Sequence, residues 1–212
     1  MTGDLTANRP GDAARRRAVQ LRRQAPLRTA LARMLNVQTQ ESAFRTGADG
    51  EEMVARRLAK LNSEWRMLHA VPVGDHGSDI DHIVVGPPGV FTLNTKNHAG
   101  KNVWVAKHSF MVNGQRTHYL KKSRFEAQRT TRLLSSACGF AVTVDPVIVV
   151  IASQLKVKHA PSGVHVVGHK RIARWLRHQP AVLTSRAIEE IFEQARVPST
   201  WTSTGRGRQP PR

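Results

Sequence analysis

The sequence holds one cysteine, Cys138, and one tyrosine, and aromatic residues make up 5% of the chain. A lone cysteine excludes an intrachain disulfide and any zinc centre built on several thiolates, and Cys138 reads as a small core residue on a helix. Acidic residues are scarce as well: 15 Asp and Glu stand against 33 Lys and Arg, for a formal net charge of +18. That imbalance points to a polyanionic partner, either nucleic acid or an anionic membrane surface. No uninterrupted apolar run is long enough to span a bilayer, since FAVTVDPVIVVIAS is broken at Asp145-Pro146. The first residues lack the apolar core of a secretory signal, so a cytoplasmic protein is expected. The tryptophans at 65, 104, 175 and 201 are too scattered for a base-stacking platform, and the ten histidines show no metal-site spacing.

What is present suffices for one folded domain: 212 residues, 40% of them hydrophobic. The charge is spread along the chain. Residues 1–46 hold nine Arg against three acids, residues 47–196 hold 21 basic and 12 acidic residues, and the last sixteen residues add three Arg. Three regions follow: a basic N-terminal extension over 1–46, a folded domain over 47–197 and a disordered basic tail over 198–212. Residues 1–11 read as unstructured. Residues 12–35, rich in Ala, Leu and Arg, read as helical with a break at Pro26. That basic helix could lie on nucleic acid or on a membrane surface, or be a solvated extension.

Within the folded part, Glu51, Val54, Ala55, Leu58 and Leu61 share one helical face, so a carboxylate sits where an apolar residue belongs. Glu52 is a surface partner for Arg56, four residues on. Strands are predicted over 66–73, 79–86 and 89–96, the last two joined by the turn Gly86-Pro-Pro-Gly89. A hairpin around NVWVA and FMVNG comes next, then a helix from Ser123 to Cys138. PVIVVIAS reads as a strand covered on both faces, VHVVG as another strand, and helices follow from His169 and near 184–196. This order implies an α/β domain with a mixed sheet and helices on both faces.

Alternation along the strands puts Asp79 and Asp81 on one face with Ile83 and Val85, and Asn94 and Lys96 on one face of the next strand. Two carboxylates, an amide and an ammonium thus converge near a sheet edge. Buried ionised groups cost several kcal/mol each unless paired or bound to metal. A structural Asp–Lys ion pair at a strand end is the plain explanation, and a metal-binding site is the chemical one.

The stretches GADGEEMVARRL and DIDHIVVGPPGVFTLNTKNHAG, with the helix after the hairpin, resemble the nuclease-related domain, NERD. It is a branch of the PD-(D/E)XK, or restriction-endonuclease-like, superfamily. The resemblance covers approximately residues 47–170 and implies a restriction-endonuclease-like core: a central mixed β-sheet flanked by helices. It further implies Mg²⁺-dependent (or Mn²⁺-dependent) hydrolysis of nucleic acid, with DNA the preferred partner. Asp81 would be the metal-binding aspartate, Lys96 the lysine that orients the attacking water, and Glu51 the helix glutamate that supports a metal. The chain departs from the pattern at Asn94, where an acidic residue is expected. An amide oxygen can ligate Mg²⁺ but adds no negative charge, which leaves an inactive, nucleic-acid-binding descendant of the site as the alternative. Two residues could compensate, Asp79 on the strand and Glu126 on the following helix. NERD-like domains often carry a glutamine on that helix, so Gln128 is the other possibility there, although helical geometry prefers Glu126. Lys121, Lys122, Arg124, Arg129 and Arg132 form a basic stripe suited to a phosphate backbone, or a solvated helix face. His82 points to the opposite strand face and reads as structural.

Overall fold

Two glycines bracket Pro87 and Pro88, and the chain reverses there between β2 (Ser78–Gly86) and β3 (Gly89–Ala106). In the computed structural model, which describes residues 3–24, 40–74 and 78–202, this hairpin is the middle of a seven-stranded mixed sheet. β1 (Arg66–Val73) pairs antiparallel with β2, and the other edge of β3 runs parallel with β6 (Val144–Val157), which pairs in parallel with β7 (His165–Gly168). β6 is the β-branched run VDPVIVV, and Val147, Ile148 and Val149 are wholly buried between the two helical layers. The far stretch of β3 pairs with β4 (Ser109–Val112), and β4 with β5 (Gln115–Arg116). The strand predicted to stop at Lys96 therefore continues through NVWVA. A register shift between His98 and Asn102 lets the strand pass Gly100 without ending.

The two faces bury separate sets of side chains. Over one lie α2 (Gln40–Leu58) and the short α4 (Ile172–Arg177), packing Val54, Leu58, Ile172 and Leu176 against Val84, Phe91, Leu93 and Val147. Over the other lie α3 (Tyr119–Cys138) and α5 (Ser185–Ala195), packing Ala127, Leu134, Ile188 and Ile191 against Ile83, Val85 and Val90. Each of these large side chains is worth about 1.5–3 kcal/mol when fully buried. α2 sits unusually close to β3, because a Cβ at Gly50 would lie 2.9 Å from the Cβ of Asn97. Asn97 Nδ2 in turn donates to the Thr46 carbonyl at 2.8 Å, fixing the helix over the strand. No described helix is long and apolar enough to cross a membrane.

Residues 1–11, expected to be unstructured, instead contribute to the core from Leu5 onward. Leu5–Ala7 form a 3₁₀ turn capped by Asp4, Leu5 is buried, and its N–H donates to the Arg196 carbonyl at 3.0 Å. Asp4 forms an ion pair with the Arg196 guanidinium. At the other end, Trp201 closes a 3₁₀ turn (Pro198–Trp201) inside the region expected to be a tail. It is buried in the same apolar cluster as Leu5, and its Nε1 donates to the Ala195 carbonyl at 2.7 Å. α1 (Asp12–Gln24) packs against α2, and Gln40–Leu58 runs unbroken through position 47. The rest of the helix expected over 12–35, Pro26 included, lies outside the described residues, as do residues 203–212 of the tail.

Candidate functional site

β2 and β3 stay paired from the turn as far as His82 opposite Leu93, and there the ladder ends. The next residues along, Asp81 and Asn94, face a fork. On the other side β1 also loses its pairing at the same level: His69 pairs with His82 and Val71 with Ile80, while Ala70, opposite Asp81, adopts a φ of +46°. That is a left-handed conformation unusual for a residue with a Cβ. Asn8 Nδ2 donates to the Ala70 carbonyl at 3.0 Å and satisfies a group the ladder has released. Across the fork, the Thr95 N–H donates to Asp81 Oδ2 at 2.6 Å. A side chain thus replaces the missing strand-to-strand bond, and the Asp81 carboxylate is held in one orientation.

Around that carboxylate the structure brings together Glu51, Asp79, Asn94, Lys96 and Glu126. Lys96 Nζ donates to Asn94 Oδ1 and, at 3.2 Å, to the Thr95 carbonyl, and it lies 5.2 Å from the Tyr119 ring centroid. The other end of the Asn94 amide, Nδ2, donates to Glu126 Oε2 at 3.1 Å. Glu126 therefore places a carboxyl directly behind the amide that stands where an acid is expected. Glu51 comes from α2, over the opposite face. Its Oε2 accepts from the Gly11 N–H at 3.0 Å, and 8% of the residue is exposed.

Electrostatically the cluster carries more acid than one ammonium can balance. Burial, and then the charge of Asp81, push the Glu51 carboxyl up to about 8, with Lys96 opposing. The same two causes push Glu126 up to about 8, against the Asn94 hydrogen bond and Lys96. Burial also raises Asp81, countered by Lys96 and by the Thr95 N–H, and raises Asp79, countered by Arg16. The donors are oxygens throughout: carboxylates, the Asn94 amide and the Thr95 carbonyl. Among the described residues, no three His, Cys, Asp or Glu side chains lie close enough together to hold a metal ion on their own.

The fork opens into a cleft of about 720 Å³ bordered by Glu51, Asp79, Asp81, Thr95 and Lys96 on one side and by α1 on the other, through Arg16, Arg17 and Gln20. Gln128 lies elsewhere. It is exposed and lines a separate depression with Phe125 and Ser162, two helical positions past the residue that meets Asn94. The stripe on α3 is dispersed in its contacts: Lys121 and Lys122 are exposed, Arg124 donates to the Ser162 carbonyl at 3.1 Å, and Arg129 packs beside Gly74. Arg132 borders two shallow depressions on that helix. His82 is fully buried on the opposite face of β2, 2.8 Å from His69 Nδ1 through its own Nδ1. Burial lowers both imidazoles, and the charge of His69 lowers His82 further. Sequence reasoning missed Gly11, Ala70 and the α1 wall. A backbone N–H, a left-handed alanine and an arginine in an Arg-rich helix leave no periodic signal that could have found them.

The chain matches the nuclease-related domain profile over residues 46–151, half of its length, a span that includes Glu51, Asp79, Asp81, Asn94, Lys96 and Glu126. It is also similar to an uncharacterized protein of Bacillus anthracis, 36% identical over 84 residues, which is 38% of this chain and 38% of that protein. The chain thus spans well under half the length of this curated relative. No solved structure matches it. The mixed seven-stranded sheet with helices on both faces fits a restriction-endonuclease-like core. By the profile match and by its fold, the chain belongs to the nuclease-related domain family, NERD, within the PD-(D/E)XK superfamily.

Proposed function

We propose that this NERD protein hydrolyses phosphodiester bonds of nucleic acid, DNA by preference, with Mg²⁺ or Mn²⁺ bound at the fork. One observation carries the reading: the ladder with β3 ends at Asp81 and the ladder with β1 skips it, and the space gained is filled by carboxyl groups, an amide and a single lysine. Stability alone favours a paired, apolar strand at that position. The oxygen donor set suits Mg²⁺, which is held by one or two carboxylates and completes its shell with water and substrate phosphate. Asp81, Asn94 and the Thr95 carbonyl would hold the ion, with Glu126 behind Asn94 supplying the charge that the amide lacks and Glu51 and Asp79 bordering it. When bound, it lowers the pKa of a coordinated water and offsets charge on the phosphate.

The chain's own residues do the rest. The Thr95 N–H keeps Asp81 aimed into the cleft. Lys96 Nζ, released from Asn94 Oδ1, donates to the attacking water and to a non-bridging phosphate oxygen, stabilising the charge that develops there. Glu51, held by the Gly11 N–H at the border of the cleft, can take the proton that the attacking water gives up, and solvent protonates the departing oxygen. The net charge of +18 favours approach of the polyanion.

A second reading is favoured by the bonds of Lys96. The ammonium occupies Asn94 Oδ1 and the Thr95 carbonyl, two oxygens a cation would need, which suits a protein that binds nucleic acid without cutting it. Incubating the protein with plasmid and single-stranded DNA under Mg²⁺, Mn²⁺ or EDTA separates the two. The hydrolytic reading expects metal-dependent cleavage that falls by on the order of a thousandfold in Asp81→Ala and Lys96→Ala while DNA binding persists. Salt-sensitive binding with no cleavage in any metal would establish the binder instead.

A further inference from the structure

The family match begins at residue 46, yet one wall of the cleft comes from before it. Three consecutive arginines in α1 have three different fates. Arg15 is tied to α2, with Nε 3.0 Å from Glu52 Oε1 and Nη2 3.4 Å from Asp49. Arg17 borders the cleft, but its guanidinium is engaged there, donating to Gln20 Oε1 at 3.0 Å. Arg16 borders the cleft with Asp79, Asp81 and Lys96, and no carboxylate among the described residues forms an ion pair with it. Its charge nevertheless acts on Asp79 across the cleft.

The placement of Arg16 is imposed from several sides. Leu5 anchors the segment in the core, and Asn8 holds the Ala70 carbonyl at the fork. The Gly11 N–H caps Glu51, and Arg15 clamps the first turns of α1 to α2. An arginine held over a cleft of carboxylates, and not neutralised by them, is suited to an anion that enters with the substrate. Its planar fork matches a phosphate's oxygens two at a time.

We propose that α1 supplies a phosphate subsite to the fork, with Arg16 as a positioning residue that grips a backbone phosphate of the nucleic acid lying in the cleft. The inference rests on the hydrolytic reading only for the word substrate, because gripping requires binding alone. Arg16 then fixes where the strand lies relative to Lys96, and the segment before the family span acts as part of the substrate site.

Arg16→Ala, Arg16→Lys and, as a charge-matched control outside the cleft, Arg9→Ala would be prepared in the full chain. Binding to short labelled DNA, single-stranded and duplex, would be measured in EDTA across a salt series, and KM and kcat in Mg²⁺. The expected result for Arg16→Ala is affinity weaker by on the order of tenfold and a salt slope smaller by about one, a KM effect larger than any kcat effect, and partial recovery in Arg16→Lys. A helix that merely props up the fold would leave the salt slope equal to that of Arg9→Ala, and that equality would overturn the proposal. If the wild type binds but never cleaves, a reduced slope in Arg16→Ala still upholds the subsite while hydrolysis fails. If the wild type neither binds nor cleaves, both fall.

Discussion

At the turn end of the β2–β3 hairpin, Val84 and Val85 stand opposite Phe91 and Val90 in an unbroken ladder, all nearly inaccessible to solvent. At the far end of the same two strands, Asp81 and Asn94 would be the next residues to pair beyond His82 and Leu93, and they do not. The closed end has apolar side chains, satisfied backbone groups and a glycine under a tryptophan ring. The open end has ionisable side chains, bonds from side chain to backbone in place of the ladder, and a neighbour, Ala70, in a left-handed conformation. One sequence stretch therefore follows two rules. The turn end is built for stability, whereas the fork gives up stability to place charge, and the two should respond oppositely to mutation.

The largest effect is expected at the closed end. A Cβ at Gly86 would overlap the ring of Trp65, so Gly86→Ala should destabilise the fold by about 3 kcal/mol, read from urea unfolding. DNA binding per folded molecule should be unchanged, and a loss of binding out of proportion to unfolding would break the contrast between the ends.

The fork should show its cost in the pH dependence of stability. The folded protein raises Glu51 and Glu126 from 4.5 to about 8, so between those values it holds protons that the unfolded chain has released. Stability in EDTA should therefore fall as pH rises through that window and level off above it. Glu126→Gln keeps an oxygen for Asn94 and removes one titrating group, so it should flatten the slope. An unchanged slope in that variant would show that Glu126 is not one of the groups responsible.

Asn94→Asp should give the smallest shift. It sets a second carboxylate against Glu126 and so lowers stability in EDTA, while Mg²⁺ should protect the variant more than the wild type. Tenfold tighter ion binding corresponds to about 1.4 kcal/mol. Equal protection in thermal melts with and without Mg²⁺ would mean that Asn94 does not face the ion.

The parts of the molecule that sequence made legible are those with local signals. The alternation through Asp79, Asp81, Asn94 and Lys96 and the Pro-Pro turn were sufficient to place the hairpin, and the helical phase of α2 set Glu51 inward. Helical phase also favoured Glu126 over Gln128 as the neighbour of the strand, and Asn94 meets Glu126. The length of β3 was hidden because Gly100 mimics a turn, whereas the strand passes it with a register shift. Leu5 and Trp201 were hidden for another reason. Each is a lone apolar residue in a polar stretch, and only tertiary contact with a partner far along the chain reveals that it is core. The α1 wall belongs with them, since an Arg-rich helix reads the same whether its arginines face water, a carboxylate or a cleft.

The contact between Asp4 and Arg196 joins residues 192 positions apart, and Leu5 bonds to the same arginine's carbonyl. During synthesis the early residues emerge first and must wait for their partners until nearly all of the sheet has been translated. In that interval the β1 flank lacks its cover, and the segment bearing Asn8 and Gly11 lacks its anchor at Arg196. Closure of the two ends on each other is therefore the last step of folding that the order of synthesis allows, and the apolar cluster that Leu5 and Trp201 share stays uncovered until then.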